Sequence, residues 1–299
     1  MTQRLWGITC FFNPAGSKRR LANYRTFRQA LAVPLVTVEL AYGPRHELLQ
    51  ADADLLLQLR GSDVMWQKER LLNLALDALP DRCDAVVWLD SDVLFEASDW
   101  PDRVLDRLES DVLVQPFRSV TDRGPVATPP RASLTYKVAS GSLARDQVAT
   151  ARLRNEWGCA AGLAWGGRRE ILMRHRLYDA GIVGGGDRAM ACAAYGAWEG
   201  LERCHQMNEN QRRHYLAWAA PFFADVQGRV GYVDGEIAHL WHGRIDKRGY
   251  GSRFTGLAPF AFDPFTDIAH DDQGCWRWNS AKAPMHQYVR SYFASRECE

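Results

Sequence analysis

The chain is short of net charge, of patterned cysteines and of long apolar runs, and each shortage removes a class of function. Lys and Arg number 37 against 36 Asp and Glu over 299 residues, so no bulk field draws the protein to nucleic acid or an anionic membrane. Any basic surface is local. Cys10, Cys83, Cys159, Cys192, Cys204, Cys275 and Cys298 are odd in number and never in CxxC spacing, which argues against a disulfide framework or zinc knuckle and for reduced thiols. No apolar stretch approaches the ~20 residues of a membrane span. The apolar run Leu5 to Phe12 begins without a basic region and cleavable signal before it, so the expected location is cytoplasmic, with peripheral membrane contact left open. Also missing are GxxxxGK[ST], HExxH, GxSxG and an early strand followed by GxGxxG. Kinase, zincin, hydrolase and Rossmann dinucleotide readings lose their main support.

Hydrophobic residues, at 46%, suffice for one large core. The first third alternates apolar runs with helical patterns, the signature of a mainly parallel α/β sheet. Strands are expected at Leu5 to Phe12, Leu35 to Leu40, Asp54 to Leu59 and Ala85 to Leu89, and helices at Leu21 to Leu31 and Trp66 to Leu79, the second stopped by Pro80. A helix near Pro101 to Leu108 and a strand near Val112 to Gln115 come next. Arg118 to Arg145, rich in Pro, Gly, Ser and Thr, reads as a long mobile surface segment. Beyond it come a glycine-punctuated strand at Gly158 to Trp165, a helix start at Arg169 to Arg174, the loop Gly184-Gly185-Gly186-Asp187 and a helix from Arg188 to Tyr195. Strand candidates follow at Arg229 to Val233 and Ile237 to Trp241, and no clear period after Arg253.

Ala85-Val86-Val87-Trp88-Leu89, apolar throughout as a strand buried on both faces should be, runs into Asp90-Ser91-Asp92. Ligands of open α/β sheets bind beyond strand C-termini, and alternate residues of an extended segment share a face. Asp90 and Asp92 therefore suit a hard divalent cation, Mn²⁺ or Mg²⁺, bridging the phosphates of a nucleotide diphosphate. Alone, such a pair equally solvates a turn. Asp187 either caps the helix that follows or serves as a base whose ionised form a helix N-terminus favours. His239 and His242, three apart on an expected strand, should face opposite ways and not share a metal.

With two βα units before it, the LDSD segment resembles the DxD motif of GT-A fold glycosyltransferases. FFNPAGSKRRLANY after the first strand and DVMWQKERLLN before the DxD strand are similar to donor-binding segments of family 2-like members. The resemblance implies a GT-A domain over residues 1–255, a Rossmann-like, mainly parallel nucleotide-diphospho-sugar transferase sheet, with a C-terminal extension over 256–299 packing on it. It implies nucleotide contacts from Asn13, Glu39, Asp63 and Arg70, a metal held by Asp90, Asp92 and His242, and a catalytic base in Asp187 that receives the acceptor hydroxyl's proton. Gly186 stands where the family's acidic motif has Glu. Arg244, Lys247, Arg248 and Arg253 could close over the donor diphosphate as a lid, with Arg248 a donor contact, or form a solvated basic loop. Trp157 and Trp165 flank a segment placed like the family's acceptor-side loop, and aromatics there either stack on sugar or fill core.

The activity so implied is metal-dependent, inverting hexosyl transfer from a UDP- or GDP-sugar to a hydroxyl acceptor. The rivals are a DxD phosphoryl-transfer enzyme and a catalytically inactive nucleotide-sugar or carbohydrate-binding protein. The acceptor stays open between a glycan and another hydroxyl compound, a modified nucleic acid included, although the balanced charge gives nucleic acid little support.

Overall fold

A computed structural model describes residues 4–61, 63–151, 159–243, 249 and 251–295. The N-terminal half is a βα relay. Strand β1 (Leu5–Phe12) turns through Asn13 into helix α1 (Lys18–Ala30), whose Ser17 cap accepts the Arg20 N–H. Strands β2 (Leu35–Ala41) and β3 (Leu55–Arg60), helix α2 (Lys68–Asp77) and strand β4 (Ala85–Leu89) follow. After them come β5 (Val93–Phe95), α3 (Trp100–Ser110) with Pro101 in its first turn, and β6 (Leu113–Gln115).

The expected mobile stretch is instead structured, with β7 (Ser119–Arg123), β8 (Arg131–Ser133) and α4 (Leu134–Ala139). Its local composition suggests a loop, but β7 pairs with a strand more than 110 residues away, and that pairing decides the outcome. The single strand expected at Gly158 to Trp165 is two, β9 (Cys159–Ala160) and β10 (Ala164–Arg168), separated by Leu163 at φ 81° and belonging to different sheets. Helices α5 (Arg169–His175), α6 (Gly186–Tyr195), α7 (Trp198–His205) and α8 (Glu209–Val226) lead to β11 (Val230–Tyr232) and β12 (Glu236–Leu240). The aperiodic C-terminal stretch holds α9 (Arg253–Leu257), the hairpin β13 (Ile268–His270) and β14 (Trp276–Trp278), and α10 (Ala283–Ala294).

A seven-stranded sheet in the order β11-β6-β10-β4-β1-β2-β3 forms the centre. Its pairs are parallel except on either side of β10. This is the mainly parallel α/β architecture expected. β4 lies inside it, and its alternation splits between two cores: Val86 and Trp88 join Leu71 and Leu72 of α2, while Ala85, Val87 and Leu89 join Val104 and Leu108 of α3. Burying each such aliphatic side chain contributes about 1.5–3 kcal/mol, so the strand is anchored from both faces and its C-terminal end is fixed in space. A five-stranded sheet, β5-β12-β7-β8-β9, sits beyond that end. Phe293 of α10 packs edge-on against Phe12, and Trp276 belongs to the same core as β1 and β2. Among the described residues no helix is long and apolar enough to cross a membrane.

Candidate active site

The site begins where β4 stops. The Asp90 N–H donates to the Leu163 carbonyl at 2.7 Å, and the Leu240 N–H donates to the Asp92 carbonyl at 2.7 Å. The acidic pair is thus pinned between β10 and β12. β12 runs between β5 and β7, in a register that sets His239 opposite Val93 on one side and Asp122 on the other. His239 is therefore one residue from Asp92 across one ladder and directly against Asp122 across the other.

Asp92, His239 and His242 each present one donor atom, all within 4.8 Å of one another. His242 Nε2 is 3.2 Å from Asp92 Oδ2, and His239 Nε2 is 3.6 Å from Asp92 Oδ1. The histidines do converge, contrary to the expectation that they face opposite ways. The alternation rule fails because β12 ends at Leu240, two residues before His242. The His239 Nδ1–H donates to Asp122 Oδ1 at 2.7 Å, which orients the ring with Nε2 toward Asp92. Arg131 holds Asp122 bidentately, at 2.8 Å to each oxygen. Burial alone would raise the Asp122 carboxyl, but the hydrogen bonds from His239 and Arg131 outweigh it and keep it well below the ordinary carboxylate range. Two imidazole nitrogens and one carboxylate, with one imidazole oriented by a second carboxylate, fit a divalent cation.

Asp90 turns the other way. Its Oδ1 lies 2.6 Å from Lys68 Nζ, and the same ammonium contacts both Asp187 oxygens at 3.0 Å. Lys68 enters from the first turn of α2, and Asp187 sits in the first turn of α6, which starts two residues earlier than expected. Only 10% of the Lys68 side chain is exposed, against 29% for Asp90 and 27% for Asp187. Burial would lower the Lys68 ammonium, but Asp187, Asp90 and Glu69 reverse this and raise it, so it stays charged. Burial raises Asp187, with Lys68 opposing.

One cavity of about 450 Å³ is lined by Lys68, Asp90, Asp92, Asp187, His239 and His242 together, with Arg20, Arg188 and Arg253 also on its walls. Asn13, Glu39, Asp63 and Arg70 are not among its lining residues. Asn13 bonds Ser17 and Glu47 in the β1–α1 turn. Glu39, buried, accepts from the Glu47 N–H and the Gln58 amide. Asp63 accepts from the Trp278 N–H, and Arg70 donates to the Gly274 carbonyl and contacts Asp179. The last two therefore hold the C-terminal hairpin. Trp165 is core, stacked 6.2 Å from Trp88. Arg244, Lys247, Arg248, Trp157 and Cys298 lie outside the described residues, and the six described cysteines are free thiols.

Lys68, Asp122, Arg131 and the role of His239 escaped the sequence reading. Lys68 stands within the DVMWQKERLLN segment, but a lysine at a helix start reads as solvated, and only the acidic partners at 90 and 187 make it otherwise.

No family model matches the chain, and no curated protein matches its sequence. Solved structures overlap it. The mannosyltransferase PcManGT from Pyrobaculum calidifontis, in complex with GDP-Man and Mn²⁺, is similar over 86% of this chain and 62% of its own, at 14% identity and a TM-score of 0.43. TarS 1–349 of S. aureus, in complex with UDP-GlcNAc, is similar over 98% and 72%, at 10% identity and 0.44. The 4-diphosphocytidyl-2C-methyl-D-erythritol synthase from Anaerococcus prevotii is similar over 79% and 90%, at 10% and 0.37. Likenesses this distant say nothing of what this chain binds or transforms, and the site stands on its own residues.

Proposed function

We propose that this protein transfers a hexosyl unit from a nucleotide-sugar donor to an acceptor hydroxyl, with inversion and with a divalent metal. The observation that supports this is one cavity beyond the strand ends that is lined both by a cation-ready group and by a lysine-held carboxylate at a helix N-terminus.

In this reading Asp92, His239 and His242 hold the metal. When bound, the metal offsets charge on the leaving diphosphate. Asp90, tied to Lys68, borders the donor without needing to be a ligand. Arg20 and Arg253 on the cavity wall are placed to meet phosphate oxygens. An acceptor oxygen hydrogen-bonded to Asp187 gives its proton to that carboxylate while its electron pair forms the new bond at the anomeric carbon. The bond from that carbon to the diphosphate breaks, and its electron pair leaves with the diphosphate. Displacement from the face opposite the diphosphate is what makes the outcome inverting. Asn13, Glu39, Asp63 and Arg70 would act on the nucleotide from behind the wall, by fixing the turns and the hairpin that shape it. The split into a domain over 1–255 and an extension over 256–299 belongs to the same proposal.

Thermal unfolding with UDP, GDP, CMP and dTDP, each with and without Mn²⁺, tests the reading. A ligand at about 100 times its Kd adds roughly 2.7 kcal/mol. A metal-dependent rise in Tm with one nucleotide, lost in Asp92→Asn, is expected and names the donor base. No rise with any pair would shift the weight to phosphoryl transfer or to a site that takes no nucleotide.

A further inference from the structure

Next to Lys68 in sequence, and against the residue before Asp187, lies a carboxyl group that the proposed chemistry leaves unused. Glu69 on α2 is 5% exposed, its Oε2 accepts from the Trp66 indole N–H at 2.8 Å, and its buried Oε1 has no hydrogen-bond partner among the described residues. Its place in space is as informative as its burial. A Cβ built on Gly186, the residue before Asp187, would land on the Glu69 carboxyl. A side chain at 186 and the carboxylate of Glu69 are therefore mutually exclusive occupants of one volume. The glycine is what lets α2 deliver its acid to the first turn of α6.

We infer that Glu69 is the positioning carboxyl of the Asp187 site, reaching from α2 into the space that a side chain at position 186 would otherwise fill. Its effect is electrostatic. Burial raises the Asp187 carboxyl, and the two Lys68 contacts at 3.0 Å oppose that rise. An ionised Glu69, which interacts with both Lys68 and Asp187, offsets part of that opposition and keeps the basicity that proton acceptance needs. The charged groups around this arrangement are Lys68 and Asp187 themselves, Asp90 through Lys68 and Arg253 toward Asp187; His205, against Gly185, is held neutral by burial. Glu69 is itself raised to about 7 by burial, with Lys68 opposing and Asp187 adding to the rise. It changes charge near the pH at which the site would work.

The inference rests on Asp187 being the base, so its test has an arm that needs no turnover. With the donor identified by thermal shift, transfer is followed against pH for Glu69→Gln, Glu69→Ala, and Glu69→Ala combined with Gly186→Glu. Glu69→Gln keeps the shape and should fold. It is expected to lower transfer at least about tenfold, the equivalent of one unit of lost basicity, and to move the acidic limb to lower pH. The combined variant, which returns a carboxyl to the same volume from α6, should recover most of what Glu69→Ala loses. Wild-type rates and limb in Glu69→Gln, or no recovery in the combined variant, would overturn the assignment. If the wild type transfers nothing, the proposed function fails and the stability arm decides. A folded-state pKa raised from 4.5 to about 7 means that stability falls as pH rises across that interval. Glu69→Gln should abolish that fall and the combined variant should bring it back; an unchanged pH dependence in Glu69→Gln sinks the inference.

Discussion

The two ends of the cavity are built by different means. At the Asp92 end, strand register does the placing: β12 lies between β5 and β7, and its pairing alone brings His239 to Asp92 and Asp122. At the Asp187 end, no two of the relevant residues share a sheet. Lys68 and Glu69 come from the start of α2, Asp187 from the start of α6, and Asp90 from the end of β4. Charge and close backbone approach hold them. The first end places its groups before any ligand arrives, and the second depends on mutual compensation among four ionisable side chains. Substitutions should therefore act locally at the first end and cooperatively at the second.

Lys68→Met is the sharpest way to break that contrast. Removing one partner of a buried ionic group leaves the others uncompensated, at about 3–5 kcal/mol when burial is complete. With Asp90 and Asp187 each more than a quarter exposed, water recovers part of the cost, and about 2–3 kcal/mol is expected from urea unfolding at neutral pH. Mn²⁺ affinity by calorimetry should hardly move. Unchanged stability would mean that the two aspartates are solvated and the lysine incidental.

Substitutions at the other end should do the reverse. Asp92→Asn should abolish Mn²⁺-dependent stabilisation in a thermal melt and leave the metal-free Tm within a degree or two, roughly the effect of well under 1 kcal/mol. His239→Ala should abolish it and also cost about 1–3 kcal/mol without metal, because Asp122 loses a hydrogen bond. Asp122→Asn should weaken Mn²⁺ binding by about 10–100-fold, the usual cost of losing the carboxylate that orients a ligating imidazole. Because the group offers two imidazoles and one carboxylate, Mn²⁺ should bind more tightly than Mg²⁺, which favours oxygen donors. Equal affinity for the two ions would indicate that the histidines do not ligate.

The same contrast explains what could be read from sequence. The apolar run of β4 and the acidic pair at its end were legible, since burial on both faces leaves a local signature. So was the helix expected from Arg188, although it starts at Gly186 and takes Asp187 into its first turn. His239 was misjudged because the alternation rule was carried past the end of β12. Asp122 was missed because its partner lies 117 residues away, within a stretch whose composition reads as loop. Glu69 presents a third kind of difficulty: its meaning depends on a glycine at 186, and no periodicity links a helix residue to the space that a distant glycine leaves.

A last expected effect lies in the turn that delivers Asp187. Gly185 has φ 102°, a region that side chains with a Cβ rarely adopt, and a Cβ there would meet His205 Cε1 at 2.8 Å and Phe254 Cζ at 2.9 Å. Gly185→Ala thus combines backbone strain with a contact that two stacked rings, 3.8 Å apart, have little room to relieve. A loss of about 1–2 kcal/mol is expected in urea unfolding. The consequence for the site should be one-sided. Displacing the first turn of α6 moves Asp187 against Lys68, so transfer should fall more than stability alone accounts for. Mn²⁺ affinity, set by the register of β12 with β5 and β7, should stay at the wild-type value. A parallel loss of metal affinity would show that the two ends are coupled through the cavity, and that the separation drawn from their construction does not survive in their energetics.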